Sequence, residues 1–325
     1  MSLPSVASPE VSVVVITHNR APRLAKLLDT LDAQTLDRSR FEVIVVDDAS
    51  EDDTSALLVG RERVGQPPLR TIRRSGAPNR AAARNEGWRA ARAPLVAYID
   101  DDCEADPDWL KEGLEACSLQ PDAIVQGRVD PIPAEASSRS PATRTQQIHR
   151  AGPYYQTCNI FYPRELISRL GGFDAEAFTS HGGEDTDLAW RAISRGTSTA
   201  FAEHARAYHA VNRIGLLGRL QFASHWAESM AVYKRYPELR DAVFTKRIFW
   251  KPWHYALFRV LVALLLPRRL RFVRPYLVIP YLRSIELRCH NEGGNAAYAP
   301  FYLAEDVIEV GAMVRASVRH RMLVL

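Results

Sequence analysis

An α/β fold, with a doubly wound sheet over roughly the first two thirds of the chain and a helical region after it, is what the 325-residue sequence predicts. Three observations predict it. Short β-branched runs alternate with helix-patterned segments, the rhythm of βαβ units. The runs end in aspartates, and open α/β sheets place ligands just beyond the carboxyl ends of their strands. From about Ile214 the chain changes to long helical stretches rich in aromatic and basic residues, so the expected domains are 1–213 and 214–325.

Residues 11–17 (Val-Ser-Val-Val-Val-Ile-Thr) form the first expected strand. Leu24, Leu27, Leu28 and Leu31 follow Pro22 at helical spacing and form the first helix. Residues 41–47 repeat the strand pattern and run into Asp47 and Asp48. An alanine-rich helix follows Pro78 over 81–91, and a buried strand over 94–100 leads into Asp100, Asp101 and Asp102. Pro, Ser, Ala and Thr dominate 131–144, which reads as a mobile loop able to serve as a lid. Residues 154–162 and 199–209 read as strands flanking a helix that starts near Gly183 and stops at Arg195, before Gly196.

A formal charge of +4 is mild for this length, so its meaning lies in where the charges sit. Cys103, Cys117, Cys158 and Cys289 are widely spaced without a CxxC pair, which fits a reducing cytoplasm. Residues 1–10 have neither a basic start nor an apolar stretch of signal length, so export is not expected. No segment reaches the roughly 18 to 20 apolar residues of a spanning helix. Three adjacent carboxylates at 100–102 repel one another, a cost that a cation, basic partners or full hydration must offset. From the triplet alone, an exposed acidic turn and a divalent-metal site are both open.

Several motifs in order carry a resemblance: Val-Val-Val-Ile-Thr-His-Asn-Arg at 13–20, Val-Val-Asp-Asp-Ala-Ser at 45–50, Ala-Ala-Arg-Asn-Glu-Gly at 82–87, Asp-Asp-Asp at 100–102, Gly-Gly-Phe-Asp at 171–174 and Gly-Glu-Asp-Thr-Asp-Leu-Ala-Trp-Arg at 183–191. Over about residues 11–210 the chain resembles the family 2 glycosyltransferases with the GT-A fold. The resemblance implies a Rossmann-like nucleotide-binding sheet and inverting transfer of a sugar from a nucleoside-diphosphate donor to an acceptor hydroxyl. By it, Ile16, Thr17 and His18 at the first strand end, with Asp48, hold the base, the carboxylate accepting from a ring N–H. His18 stands where the family commonly has Tyr, which preserves stacking but alters the contact. Arg84 faces the donor nucleotide, alongside Asp100 and Asp101. Asp100 and Asp102 are the outer positions of a DXD motif that binds Mn2+ or Mg2+, and His209 is a further ligand that favours manganese. Asp185 aligns with the catalytic base. Each has a plainer reading: Asp48 and Asp185 as turn or helix caps, Arg84 as a solvated charge, His209 as a packed side chain.

Over residues 246–288 ten Lys or Arg stand against one acid, Glu286. Phe249, Trp250, Trp253, Tyr255, Phe258, Phe272, Tyr276 and Tyr281 are interleaved with them, around the apolar block 260–266. Aromatics and cations beside short apolar stretches suit an anionic membrane surface, which would place the protein peripherally at the inner face of the cell membrane. Packing on the catalytic domain or a homodimer interface is the alternative. No nucleic-acid recognition motif accompanies the charge, so no nucleic-acid partner is expected. The reading is a metal-dependent transferase with a UDP-sugar favoured as donor and a saccharide or lipid-linked acceptor, in cell-surface polysaccharide or glycolipid synthesis. Its rivals are a nucleotide-sugar-binding module without turnover and a nucleotidyltransferase. The latter generally needs a glycine-rich phosphate loop, and residues 16–20 contain no glycine.

Overall fold

The computed structural model describes residues 8–64, 69–179 and 182–325. They form two compact units, one from the N-terminal part up to Ala134 with residues 145–179 and 184–210, the other from Glu135–Arg144 and Val211–Leu325. In chain order the first unit begins β1 (Val11–Thr17), α1 (Ala21–Asp32), β2 (Phe41–Asp48), α2 (Thr54–Val64), β3 (Leu69–Arg74), α3 (Arg80–Ala90), β4 (Leu95–Ile99), β5 (Cys103–Ala105), α4 (Trp109–Leu119) and β6 (Ile124–Pro131). After β7 (Thr143–Arg144), which belongs to the second unit, come β8 (Asn159–Pro163), α5 (Arg164–Leu170), α6 (Glu184–Ile193) and β9 (Thr199–His209). The eight strands of the first unit make one sheet in the order β3-β2-β1-β4-β8-β6-β9-β5.

β3, β2, β1 and β4 run parallel, and the register sets Thr17 beside Asp47. Both faces of β1, β2 and β4 are covered, which is why they read as continuous apolar runs, while β3 lies at the sheet edge and is only partly buried. Val13, Val15, Val43 and Val45 pack with Leu24, Leu27 and Leu31 of α1, while Val14, Ile44 and Val46 pack with Ala81 and Ala83 of α3. Helix α3 lies close on the sheet at Gly87, where a Cβ would fall 2.3 Å from Val14 Cγ1. The other half of the sheet is mixed: β8 is antiparallel to β4 and β6, β9 is parallel to β6, and β5 is antiparallel to β9.

The strand expected over 154–162 is shorter than the apolar pattern suggested. It begins at Asn159, because the chain turns at Gly152 (φ 62°) and Tyr155 (φ 51°). Asn159 is fully buried and explains its own position: its amide donates to the Arg128 and Ala205 carbonyls, both at 2.8 Å, and its oxygen accepts from the Trp109 indole at 2.8 Å. Those bonds pin the register shift between Gly127 and Arg128, where β6 slips relative to β9.

The second unit adds β10 (Asn212–Arg213), α7 (Gly215–Arg235), α8 (Pro237–Val243), α9 (Pro252–Leu265), α10 (Arg274–Asn291) and α11 (Ala299–His320). In the segment read as a loop, Pro133–Ser138 is a 3-10 helix and β7 pairs antiparallel with β10. The core of the unit gathers Ala256, Leu257, Tyr281, Ile285, Cys289 and Tyr302 from α9, α10 and α11. No helix among the described residues is long and apolar enough to cross a membrane.

Candidate active site

At the carboxyl edge of β1 and β2 two loops are laced together. Asn19 adopts a left-handed conformation (φ 54°) that Asn tolerates better than most residues, and its side chain accepts from Glu51 N at 2.7 Å. Its own N–H donates to Ser50 Oγ at 2.9 Å, and Ala21 N donates to Asp52 at 3.1 Å. His18 Nδ1 lies 2.7 Å from the Asp48 carbonyl, so it is the donor and the ring is held beside Asp48. The Asp48 carboxylate is buried, accepts from Asn79 N at 2.8 Å and pairs with Arg74, which also binds Glu86 at 2.9 Å and the Asn79 carbonyl at 3.4 Å. Asn79 caps α3 by accepting from Ala82 N at 3.0 Å. Thus β3 and α3 converge on the carboxylate at the end of β2, while His18, just after β1, holds its backbone carbonyl. Ile16 is half-buried at the end of β1.

The triplet divides its work. Asp101 is buried, accepts from Thr17 at 2.8 Å and meets Arg20 at 3.1 Å. Burial, outweighing Arg20 and reinforced by the charge of Asp102, pushes its carboxyl up to about 6. Asp102 meets Arg20 at 2.9 Å with one oxygen and turns the other toward His209 Nε2 at 3.5 Å. His209 Nδ1 is 2.8 Å from the Ala210 carbonyl, which can only accept. That bond puts the proton on Nδ1 and leaves the Nε2 lone pair facing a carboxylate oxygen, the orientation that metal-binding histidines have. Asp102, His209 and the buried Cys103 thiol bring their ligand atoms within 4.8 Å of one another. Asp102 and His209 therefore fit a divalent cation. Asp100 is not in that group; it is partly exposed and 3.9 Å from Arg84.

Arg84 joins the triplet to the head of α6. Its guanidinium is buried, donates to Glu184 at 2.6 Å and lies over the Phe173 ring at 5.7 Å. The other Glu184 oxygen is buried without a hydrogen bond. Asp185, the next residue, is half-buried and accepts from Thr186 N at 2.8 Å. Desolvation, and then the neighbouring Glu184 charge, push its carboxyl up to about 7 against the pull of Arg84. Asp187, the other acid in this turn, is bound to Arg191 at 2.8 Å. The motif at 171–174 reaches the same place through Asn85, which donates to the Phe173 carbonyl and accepts from Phe173 N, both at 2.8 Å.

Arg20, Arg74 and Asn79 were given no role by the sequence reading. Arg20 closes a quoted motif, but its partners lie more than 80 residues away and only tertiary structure brings them together. A second group of potential ligands, His254, Asp306 and Glu309, lies in the helical unit. Its charge is already matched: Lys251 binds Glu309 at 2.6 Å, and Arg288 binds Asp306 at 2.7 Å through both nitrogens. It is a structural ion-pair network.

The model of glycosyl transferase family 2 matches residues 12–175, and that of the N-terminal domain of galactosyltransferase matches 139–213. The glycosyltransferase AglE of Haloferax volcanii is 26% identical over 220 residues, covering 66% of this chain and 71% of its own. The validoxylamine A glucosyltransferase of Streptomyces hygroscopicus subsp. jinggangensis is 30% identical over 58% of this chain, and the match spans only 52% of that protein. The succinoglycan biosynthesis protein ExoM of Rhizobium meliloti is 28% identical, covering 71% of this chain and 78% of its own. Among solved structures, the mannosyltransferase PcManGT from Pyrobaculum calidifontis, in complex with GDP-Man and Mn2+, superposes with a TM-score of 0.62 at 21% identity, covering 97% of this chain and 89% of that one. S. aureus TarS 1-349, in complex with UDP-GlcNAc, gives 0.51 at 17% identity, covering 96% and 92%.

Proposed function

The chain belongs to glycosyl transferase family 2 and is a glycosyltransferase of the GT-A fold, and from that premise we propose an inverting, metal-dependent transfer with Asp185 as the base. The observation that carries this reading is the Arg84 guanidinium, which contacts Asp100 at the end of β4 and Glu184 at the head of α6. It sets the donor side and the acceptor side of a displacement on one rigid pair of elements.

In this reading the acceptor hydroxyl attacks the anomeric carbon, the bond to the nucleoside diphosphate breaks, and Asp185 takes the hydroxyl proton. A carboxyl pushed up to about 7 is well matched to holding that proton near neutral pH. Asp48, with His18 beside it, receives the base N–H, and Arg74 offers a donor to a neighbouring base carbonyl. That pairing fits the imide edge of uracil and equally that of thymine or the amide edge of guanine; a UDP-sugar is the favoured donor, and GDP and dTDP are the comparators to test. Asp102 and His209 would hold Mn2+ or Mg2+, with Asp100 facing the donor from the Arg84 side. The ion, when bound, offsets negative charge on the departing diphosphate. The relation to a succinoglycan biosynthesis protein supports a role in polysaccharide synthesis on a saccharide acceptor; a lipid-linked acceptor and a place at the membrane surface are proposed from the basic, aromatic series at 246–288.

The test is a thermal-shift series of UDP, GDP, dTDP and CDP, each with and without manganese, on the protein and on Asp185→Asn. One nucleoside diphosphate is expected to stabilise both proteins, more with metal, while only the parent transfers sugar. Equal turnover by the variant would remove Asp185 from the chemistry, and indifference to every nucleotide would remove the donor site.

A further inference from the structure

The outer surface of the α9–α10 hairpin contradicts the usual logic of a water-exposed helix. On α9 the buried side is His254, Ala256, Leu257 and Ala263. Towards its C-terminal half the helix exposes Phe258, Leu261, Val262 and Leu265, apolar residues at helical spacing that face solvent. The stripe continues around the turn: Leu264 is 68% exposed, Leu265 85%, Phe272 78% and Tyr276 74%. Contiguous exposed apolar surface of this kind marks an interaction site.

The charges that surround it are of one sign. Residues 252–283 contain six arginines and neither Asp nor Glu. Arg268, Arg269 and Arg271 stand exposed in the 3-10 turn Arg268–Val273, between Leu265 and Phe272. Two other arginines fasten the turn from within: Arg259 donates to the Tyr276 carbonyl at 2.8 Å, and Arg274 to the Leu266 carbonyl at 2.9 Å. The tip is preformed, so little ordering is needed when it binds. By contrast Phe249, Trp250 and Tyr281, counted with the same basic-aromatic series in the sequence, are buried. Within that series the exposed members, Phe258, Phe272 and Tyr276, all lie on the hairpin.

We propose that the α9–α10 hairpin is a monotopic membrane anchor, its tip of Leu264, Leu265 and Phe272 entering the acyl boundary of an anionic leaflet while Arg268, Arg269 and Arg271 bind lipid phosphates. Charge complementarity selects the leaflet: an all-cationic rim around an apolar wedge matches anionic headgroups over hydrocarbon. A second copy of the chain would bring the same arginines against one another. The proposal deepens the membrane-associated reading above by naming the element that makes contact, and vesicle binding is measured without turnover, so its failure leaves the transferase assignment standing.

The experiment is co-sedimentation of the full chain with phosphatidylcholine vesicles, with and without phosphatidylglycerol, for the protein, for Leu265→Ser/Phe272→Ser and for Arg268→Gln/Arg269→Gln/Arg271→Gln. Binding is expected only with phosphatidylglycerol and should fall with salt. The triple arginine variant should bind about a hundredfold more weakly, at roughly 1 kcal/mol per arginine. The apolar variant should keep a weak, fully salt-reversible attachment. All these side chains are exposed, so melting temperature should not change. Equal binding by parent and variants would overturn the proposal. So would absence of binding, including the case in which the parent is a dimer in solution that the same substitutions dissociate, which would assign the surface to a second copy.

Discussion

The two units handle buried charge in opposite ways. Around the triplet and the head of α6, five carboxylates (Asp100, Asp101, Asp102, Glu184 and Asp185) gather about two guanidinium groups, Arg20 and Arg84. In the helical unit, Glu292, Glu305, Asp306 and Glu309 face Arg219, Lys251 and Arg288, with His254 3.0 Å from Glu309. One cluster carries surplus negative charge; the other is close to neutral. In the proposed reading the difference separates a ligand-binding network from a structural one: a site leaves charge for its ligand to neutralise, whereas a core neutralises its own.

That contrast can be broken by substitution. The largest effect is expected from Asp185→Asn, which should lower sugar transfer about a thousandfold with the donor KM nearly unchanged, measured on initial rates. Arg84→Met should cost about 3–5 kcal/mol of stability by denaturant unfolding, because it strands Glu184 in the interior. Adding Glu184→Gln should recover much of that loss. Arg288→Met should destabilise by about 3 kcal/mol through stranded Asp306, yet leave nucleotide affinity unchanged. Loss of donor binding in Arg288→Met would erase the distinction between the two networks.

A smaller effect follows from pH. The folded-state pKa of Asp185 is raised from 3.8 to about 7, so ionising it opposes folding. Its favourable contribution is complete below about pH 4 and is lost as pH rises through 7. Relative to the parent, Asp185→Asn should therefore gain stability between pH 5 and pH 8, on the order of 2 kcal/mol after allowance for its remaining exposure. The least effect is expected from His209→Gln, which should weaken manganese binding about tenfold while nucleotide binding without metal persists.

The legible parts of the chain were those in which one residue type carries the signal. β1, β2 and β4 are covered on both faces and show as β-branched runs. β3 was missed because three of its six residues are arginine and it lies at the sheet edge, where burial is partial. α4 and β6 were also missed: β6 buries Gln126, whose amide reaches the Gln156 and Asn159 carbonyls, so polar residues break its apolar pattern. Among site residues, the acids were visible as clusters at strand and helix ends. Their partners were not, since Arg20 and Arg74 look like any surface arginine until the strands align.

The clasp between Asn85 and the 171–174 turn constrains how this enzyme can be rebuilt. Gly172 has φ 80° and would place a Cβ 2.3 Å from Asn85 Oδ1, so the helix and the turn fit only as a matched pair. A chimaera that grafts the donor-side helix of another transferase into this chain must bring the distant glycine turn with it, as two parts of a single cassette.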